Sequence, residues 1–374
     1  MKTKVMVIIF VIVLVLPMLS WPLVSLIDLP TVEENREKAP FPQFGDDVFA
    51  QFDEYFADRA PYRDLLIKLY NNVARKLGML YESMLYNDDG DDVYTAINNA
   101  LFGQDDWLFY TGDNSLGYYK GTNIPTEREL RAYVARAEKV NAYFKAQGKQ
   151  FVIFIAPNKE QIYPEYMPRG ISVKHAVKRE DVIYDYFKEH SDVTVLYPKA
   201  QILDAKKTYI TYYQQDTHWN KYGGWIGANC IFDALNVTPG NVTITQTTHS
   251  GGDLANMATL SPSVYTAYDV VYRTEISIKF NVSNLYESEI TSSNENGRHL
   301  LLLGDSFREA MIEVLAKEFE TSILNHRDTF TAERTYEEQF ANATTVIFQA
   351  VERYDGSIFD DYGILQKFID MYGL

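Results

Sequence analysis

Residues 300–309 read Leu300-Leu301-Leu302-Leu303-Gly304-Asp305-Ser306-Phe307-Arg308-Glu309. An apolar run this short, stopped by a glycine, suits a strand covered on both faces. A helix is predicted to follow at once, over Phe307–Phe319. That order puts Asp305 and Ser306 at the carboxyl edge of a sheet, where open α/β folds bind ligands. The helix start there offers free N–H groups and a positive dipole end. The position suits a nucleophilic serine with its own N–H as an oxyanion donor. It equally suits Ser306 or Asp305 as an N-cap.

The same alternation extends outward. Phe102–Tyr110 (FGQDDWLFY) reads as a turn entering a strand; Phe151–Ala156 (FVIFIA), Val193–Tyr197 and Thr345–Gln349 (TVIFQ) read as further strands. Between them, Thr126–Gln147 carries Leu130, Tyr133, Val134, Ala137, Val140 and Phe144 as one helical stripe. Glu180–His190, Lys221–Leu235 and Asp361–Tyr372 are three more predicted helices. Strands alternating with helices indicate a three-layer α/β/α sandwich with a mostly parallel sheet. We assign this domain to residues 101–374, with 236–296 as a less regular insertion whose clearest strand is Glu275–Val282.

The N-terminal quarter is organised differently. Lys2 and Lys4 precede a charge-free run from Val5 to Ile27, so residues 1–30 read as a membrane anchor or a signal segment. As an anchor it leaves the N-terminus inside and the body outside, by the basic-residue bias; if it is cleaved, the body is secreted. Residues 31–45, with two prolines, read as a stem. Residues 46–100 read as a helical collar, with helices over Val48–Phe56 and Tyr62–Lys76. Asn87–Asp92 (NDDGDD) has the composition of a calcium loop without its ligand spacing, and is taken as a solvated turn.

Composition narrows the function classes. Thirty-five basic against 51 acidic side chains give a net charge of −16, which removes nucleic acid from the partners. The single cysteine, Cys230, excludes intrachain disulfides and cysteine-rich metal centres. Four Asn-x-Ser/Thr sequons begin at Asn236, Asn241, Asn281 and Asn342, and are taken as incidental.

A serine nucleophile needs a base. Among six histidines His218 has the most suggestive neighbours, in Gln214-Gln215-Asp216-Thr217-His218-Trp219-Asn220. In an extended segment Asp216 and His218 would share a face, so the carboxylate could orient the imidazole towards a nucleophile. The alternatives are a loop histidine paired with a nearby acid, or part of a metal site with Asp233 or Asp253. His249 is the rival histidine, followed by Gly251 and Gly252, whose turn could lend the Gly252 N–H to an oxyanion hole beside that of Ser306. An ordinary loop turn is the other reading. Arg353, past the TVIFQ strand, stands either as a substrate contact or as a salt-bridged surface residue.

The ordered set FGQDDWLFY, APNKEQIYPEYMP (Ala156–Pro168), DTHWN (Asp216–Asn220), GGDLANM (Gly251–Met257) and LLLGDSF (Leu301–Phe307) resembles the alginate O-acetyltransferase-like group of SGNH-hydrolase-like proteins and the related DHHW group. The resemblance implies an SGNH-like sandwich and extracytoplasmic O-acetylation of a polysaccharide. By position it makes Ser306 the nucleophile, His218 the base and Asp216 its orienter, with an acetyl-enzyme intermediate and neither metal nor organic cofactor. Acetyl groups would come from a multipass membrane acyltransferase partner. Two departures are visible: Thr217 stands where the DHHW pattern has His, and Asp305 where alginate-modifying members carry a small or hydroxyl residue. The alternatives are an acetylesterase with the same three residues, and a non-catalytic envelope scaffold or polysaccharide-binding protein.

Overall fold

The computed structural model describes residues 6, 38–43, 45, 47–85 and 92–374. Twelve strands follow in chain order: β1 (Ala96–Ile97), β2 (Ala100–Phe102), β3 (Leu108–Tyr110), β4 (Gln150–Ala156), β5 (Thr194–Leu196), β6 (Val242–Ser250), β7 (Val264–Tyr272), β8 (Ile278–Ser283), β9 (Ser288–Ser292), β10 (His299–Gly304), β11 (Thr321–His326) and β12 (Thr345–Val351). Seven form the central sheet in the order β5-β4-β12-β10-β11-β9-β8. The first five are mutually parallel, and the β8–β9 hairpin adds antiparallel pairing at one edge. The sheet is therefore mixed: the predicted strands at 151–156, 193–197, 299–303 and 345–349 lie in its parallel part, Glu275–Val282 overlaps antiparallel β8, the strand expected within Phe102–Tyr110 belongs to a separate small sheet, and β11 was not expected.

The leucine run shows why these residues make a central strand. Leu300 and Leu302 enter one hydrophobic cluster with Trp225, Ala228, Ile231 and Phe232 of the helix Lys221–Ala234. Leu301 and Leu303 enter the opposite cluster, with Val134, Phe144 and Phe368. Side chains alternate across a strand, so a run that is apolar at every position fits a strand covered on both faces. The helix Glu127–Ala146 begins with a Thr126 and Glu129 capping box, and all six residues of its predicted stripe are buried. The α/β/α layering expected from the sequence is present.

Several expectations need correction. The segment 236–296 is not irregular: β6 and β7 pair along nine residues, and β8–β9 joins the main sheet. The predicted helix Phe307–Phe319 divides into a tight 3-10 turn, Ser306–Met311, and a short helix, Ile312–Ala316. The second collar helix runs over Arg63–Leu85, longer than expected, and its Leu65, Leu66, Leu69, Tyr70 and Val73 are exposed. β1 and β2 straddle the expected collar boundary at residue 100, pairing with β3 in a small sheet. Among the described residues no helix is long and apolar enough to cross a membrane. Apart from Met6, the expected anchor in residues 1–30, the stem up to residue 37 and most of NDDGDD lie outside the described residues.

Candidate active site

Ser306 sits two residues beyond the end of the parallel strand β10, and Asp305 fixes it there. Asp305 is buried; its Oδ1 accepts from the Phe307 N–H and from Gln349 Nε2, and its Oδ2 accepts from the Val351 N–H at 2.6 Å. The capping role left open between the two residues thus belongs to Asp305, which also ties the end of β10 to that of β12. Gly304 is required by close approach, since a Cβ there would lie 2.1 Å from Gln349 Oε1. Ser306 is left partly exposed, and its N–H donates to no group among the described residues.

His218 reaches that serine across 88 positions of sequence. Its Nε2 lies 2.7 Å from Ser306 Oγ, and its Nδ1 lies 2.7 Å from Asp216 Oδ1. The local conformation differs from the expected extended one. Tyr212 and Trp219 form an isolated bridge, and residues 216–218 bend between them, so that Asp216 Oδ1 accepts from the His218 N–H as well as facing its ring. Trp219 Nε1 donates to the Phe307 carbonyl at 2.9 Å, fastening the bend to the serine turn, and the His218 ring packs 5.0 Å from that of Phe307. Asn220 then caps the helix Lys221–Ala234 through the Gly223 N–H.

Around this bend lie two groups whose part the sequence did not reveal. Lys159 is fully buried, and its Nζ donates to the carbonyls of Leu108, Gln214 and Asp216 at 2.7, 2.8 and 2.9 Å. It stands over the rings of Trp107 and Phe109. Burial pushes its ammonium down to about 7, with the carboxylates of Asp216 and Asp253 pulling the other way. Asp253 accepts from the Thr217 N–H and hydroxyl at 2.7 and 2.5 Å, and its own N–H donates to Asp216 Oδ2 at 3.0 Å. Both residues stood inside quoted motifs, but nothing local says that their partners lie in the 214–217 bend.

These contacts set the charges. Burial works against ionised Asp216, yet hydrogen bonds from His218 and from backbone amides hold its carboxyl down at about 2. Burial works against protonated His218, but the Asp216 hydrogen bond and the Asp216 and Asp253 carboxylates prevail, leaving the imidazole above its ordinary value. Asp253 is raised by burial and by the neighbouring Asp216 charge. Ligand atoms of Asp216, His218 and Asp253 lie within 4.8 Å of one another, the spacing of a small cation site. All four carboxylate oxygens of the two acids are already engaged by protein donors. Asp233, the other acid considered with His218, is exposed on its helix and outside this group.

The Gly252 turn serves another purpose than the one expected. Gly252 has φ +149°, and a Cβ there would lie 2.4 Å from the Gln215 carbonyl and 2.6 Å from Asp216 Cβ. It packs on the far side of the Asp216 carboxylate and lets the Asp253 amide approach it, and it is not among the residues around the Ser306 hydroxyl. Arg353 is not salt-bridged among the described residues. Its guanidinium lies over Tyr110, Phe307 and Tyr354, with Nη1 3.3 Å from Asn158 Oδ1. Arg353 Nε and Asn158 Nδ2 are buried donors without a partner among the described residues, at the sheet edge that also carries Ser306. His249 lines the depression over Ser306, but its ring neighbours are Tyr213 and Tyr265.

Comparison with known proteins places the chain in a family. Residues 100–341 match the family described as "SGNH hydrolase-like domain, acetyltransferase AlgX". The chain belongs to this SGNH hydrolase-like, AlgX-type family. A Pseudomonas putida protein named "Probable alginate O-acetylase AlgJ" is 25% identical over 193 residues, 46% of this chain and 48% of that protein. The chain thus matches about half the length of this curated relative. In fold, this AlgX-type chain is similar to a DHHW family protein from Eubacterium siraeum, at 14% identity and TM-score 0.51, covering 75% of this chain and 97% of that one. The O-acetyltransferase domain of Pseudomonas putida AlgJ gives 15% identity and TM-score 0.49, over 74% of this chain and 99% of that one.

Proposed function

We propose that this protein is an extracytoplasmic O-acetyltransferase that esterifies hydroxyl groups of a polysaccharide through an acetyl-Ser306 intermediate. The observation that carries the reading is the unbroken chain Ser306 Oγ, His218 Nε2, His218 Nδ1, Asp216 Oδ1, with 2.7 Å at each hydrogen bond. In the first half-reaction His218 takes the Ser306 proton as Oγ attacks the carbonyl carbon of an acetyl ester. The oxyanion forms beside the uncommitted Ser306 N–H, and the donor alcohol leaves with the proton returned by His218. In the second, His218 takes the proton of a sugar hydroxyl, whose oxygen attacks the acetyl carbon and regenerates Ser306. Asp216 holds the imidazole in one tautomer and stabilises its protonated form. Arg353, partly exposed at the same edge with its guanidinium beside Phe307, would meet polar groups of donor or acceptor. A membrane acyltransferase partner would supply the acetyl groups, and the apolar segment in residues 1–30 would keep the enzyme beside it.

The test is turnover of 4-nitrophenyl acetate by the full chain kept in detergent, wild type beside Ser306→Ala, with sugar products read by mass spectrometry. We expect Ser306→Ala to lose at least about 10³-fold in kcat/KM. Retention of wild-type turnover overturns the assignment, and turnover with release only to water turns it towards an esterase.

A further inference from the structure

We infer that the acceptor is an uncharged oligosaccharide chain lying in a groove from Ser306 to the β8–β9 hairpin, with that hairpin as its outer wall; the inference rests on the acetyl-transfer reading above. Two depressions carry it. One, of about 200 Å³, lies over Ser306 beside Tyr213 and His249. The second, of about 350 Å³, is walled by Phe280, Asn284, Leu285 and Ile312. They meet at Lys221 and Glu309, which line both. Together they reach the size of a ligand cleft, about 300–1,000 Å³.

The wall is tied to the serine turn by one side chain. Arg308, two residues after Ser306, is almost completely buried and donates to the carbonyls of Asp305 at 2.9 Å, Leu324 at 3.1 Å and Leu285 at 2.9 Å. The His326 N–H to the Tyr286 carbonyl and the Ser288 N–H to Asn325 Oδ1 hold the hairpin end from the other side. Its backbone is thereby fixed relative to the nucleophile, while Leu285 remains 67% exposed and Phe280 41% exposed. A fixed apolar surface flanked by neutral hydrogen-bonding groups, Ser283 and Asn284, matches the apolar faces and hydroxyl rims of sugar rings. Charge selects among sugars. The Arg308 donors are engaged by carbonyls, and Lys221 is the other cation lining the groove, whose walls also carry the carboxylates of Glu309 and Glu313. No cationic excess is left to balance a carboxylate on every sugar, so a polyuronate would be repelled and a neutral chain accepted.

The experiment uses the full chain in detergent with 4-nitrophenyl acetate as donor. Cellotetraose, mannotetraose and N-acetylchitotetraose are set against tetramannuronate. We expect at least one neutral tetrasaccharide to be acetylated about 10-fold more efficiently than the uronate. We also expect the double variant Phe280→Ala with Leu285→Asp to raise the KM for that tetrasaccharide about 10-fold, with its Ser306-dependent ester turnover measured beside it. Preference for the uronate, no transfer to any neutral tetrasaccharide, or an unaltered KM in the double variant overturns the groove, provided that Ser306-dependent ester turnover is present. Absence of that turnover in the wild type overturns the acetyl-transfer reading itself.

Discussion

Ser306 follows a strand hydrogen-bonded to neighbours on both sides, whereas His218 stands in a bend whose one ladder contact among the described residues is the isolated Tyr212–Trp219 bridge. The serine arm is made from regular structure: leucines that fill both layers, a glycine where Gln349 approaches, and Asp305 locking two strand ends. The histidine arm is assembled from single hydrogen bonds, given by Lys159, Asp253 and Trp219. Their meeting at 2.7 Å shows two ways of reaching similar positional accuracy. A sheet end is held by the cooperative ladder behind it, and an irregular bend by polar groups that would be costly to leave unpaired once buried.

Breaking the histidine arm tests that difference, and the largest loss is expected where orientation itself is removed. Asp216→Asn keeps the size of the side chain but withdraws the charge that fixes the imidazole tautomer. We expect kcat/KM to fall roughly 10²- to 10⁴-fold with the far-ultraviolet circular dichroism unchanged. Next comes Lys159→Met, which withdraws the ammonium from three inward carbonyls, of which that of Gln214 keeps the Leu108 N–H. We expect a stability loss of about 2–4 kcal/mol by urea denaturation and a fall in kcat, whereas Lys159→Arg should retain part of both. A variant as stable and as active as wild type would show that the bend stands without its lysine.

The smallest effect concerns pH. His218 must be neutral to act as a base, and its pKa stands above 6.5 because the Asp216 hydrogen bond and the Asp216 and Asp253 carboxylates outweigh burial. The acid limb of kcat/KM should therefore lie above pH 6.5, with activity lost as pH falls through that limb. Asp253→Asn removes one of the two carboxylates, so the limb should move to lower pH. Activity well above the limb should change by less than about 10-fold, because Asp216 still orients the ring. A limb that stays in place, or moves upward, would show that Asp253 acts only through the Thr217 hydrogen bonds.

How much could be read in advance follows the same division between the arms. The LLLLGDS junction and the FVIFIA and TVIFQ runs declared the sheet and its carboxyl edge, because a strand covered on both faces leaves a short continuous apolar run that needs no knowledge of distant residues. Asp216 and His218 were legible as a pair by proximity in sequence, although the extended geometry first assigned to them gave way to a bend. Gly252 was legible as a residue under backbone constraint, but the group it approaches is Gln215 and Asp216 and not the serine hydroxyl. Lys159 and Arg308 carried no advance signal, since an isolated cation in a sequence reads as surface until its acceptors are known. Of the β8–β9 hairpin, β8 was foreshadowed by the strand expected over Glu275–Val282, whereas β9 was not, because its buried positions are filled by Ser288, Ile290 and Ser292 and so carry little apolar signal.

By itself the sequence determined the layers, the strand that ends just before Asp305 and Ser306, and the nearness of Asp216 to His218, because apolar patterning and short-range spacing are local properties. Only the tertiary structure decided that His218 meets Ser306 across 88 positions, that Lys159 and Asp253 hold the bend, and that Arg308 ties the insertion to the serine turn. Those contacts depend on how packed layers bring carbonyls and amides to one place. Their partners are selected by geometry in space, which no window along the chain contains.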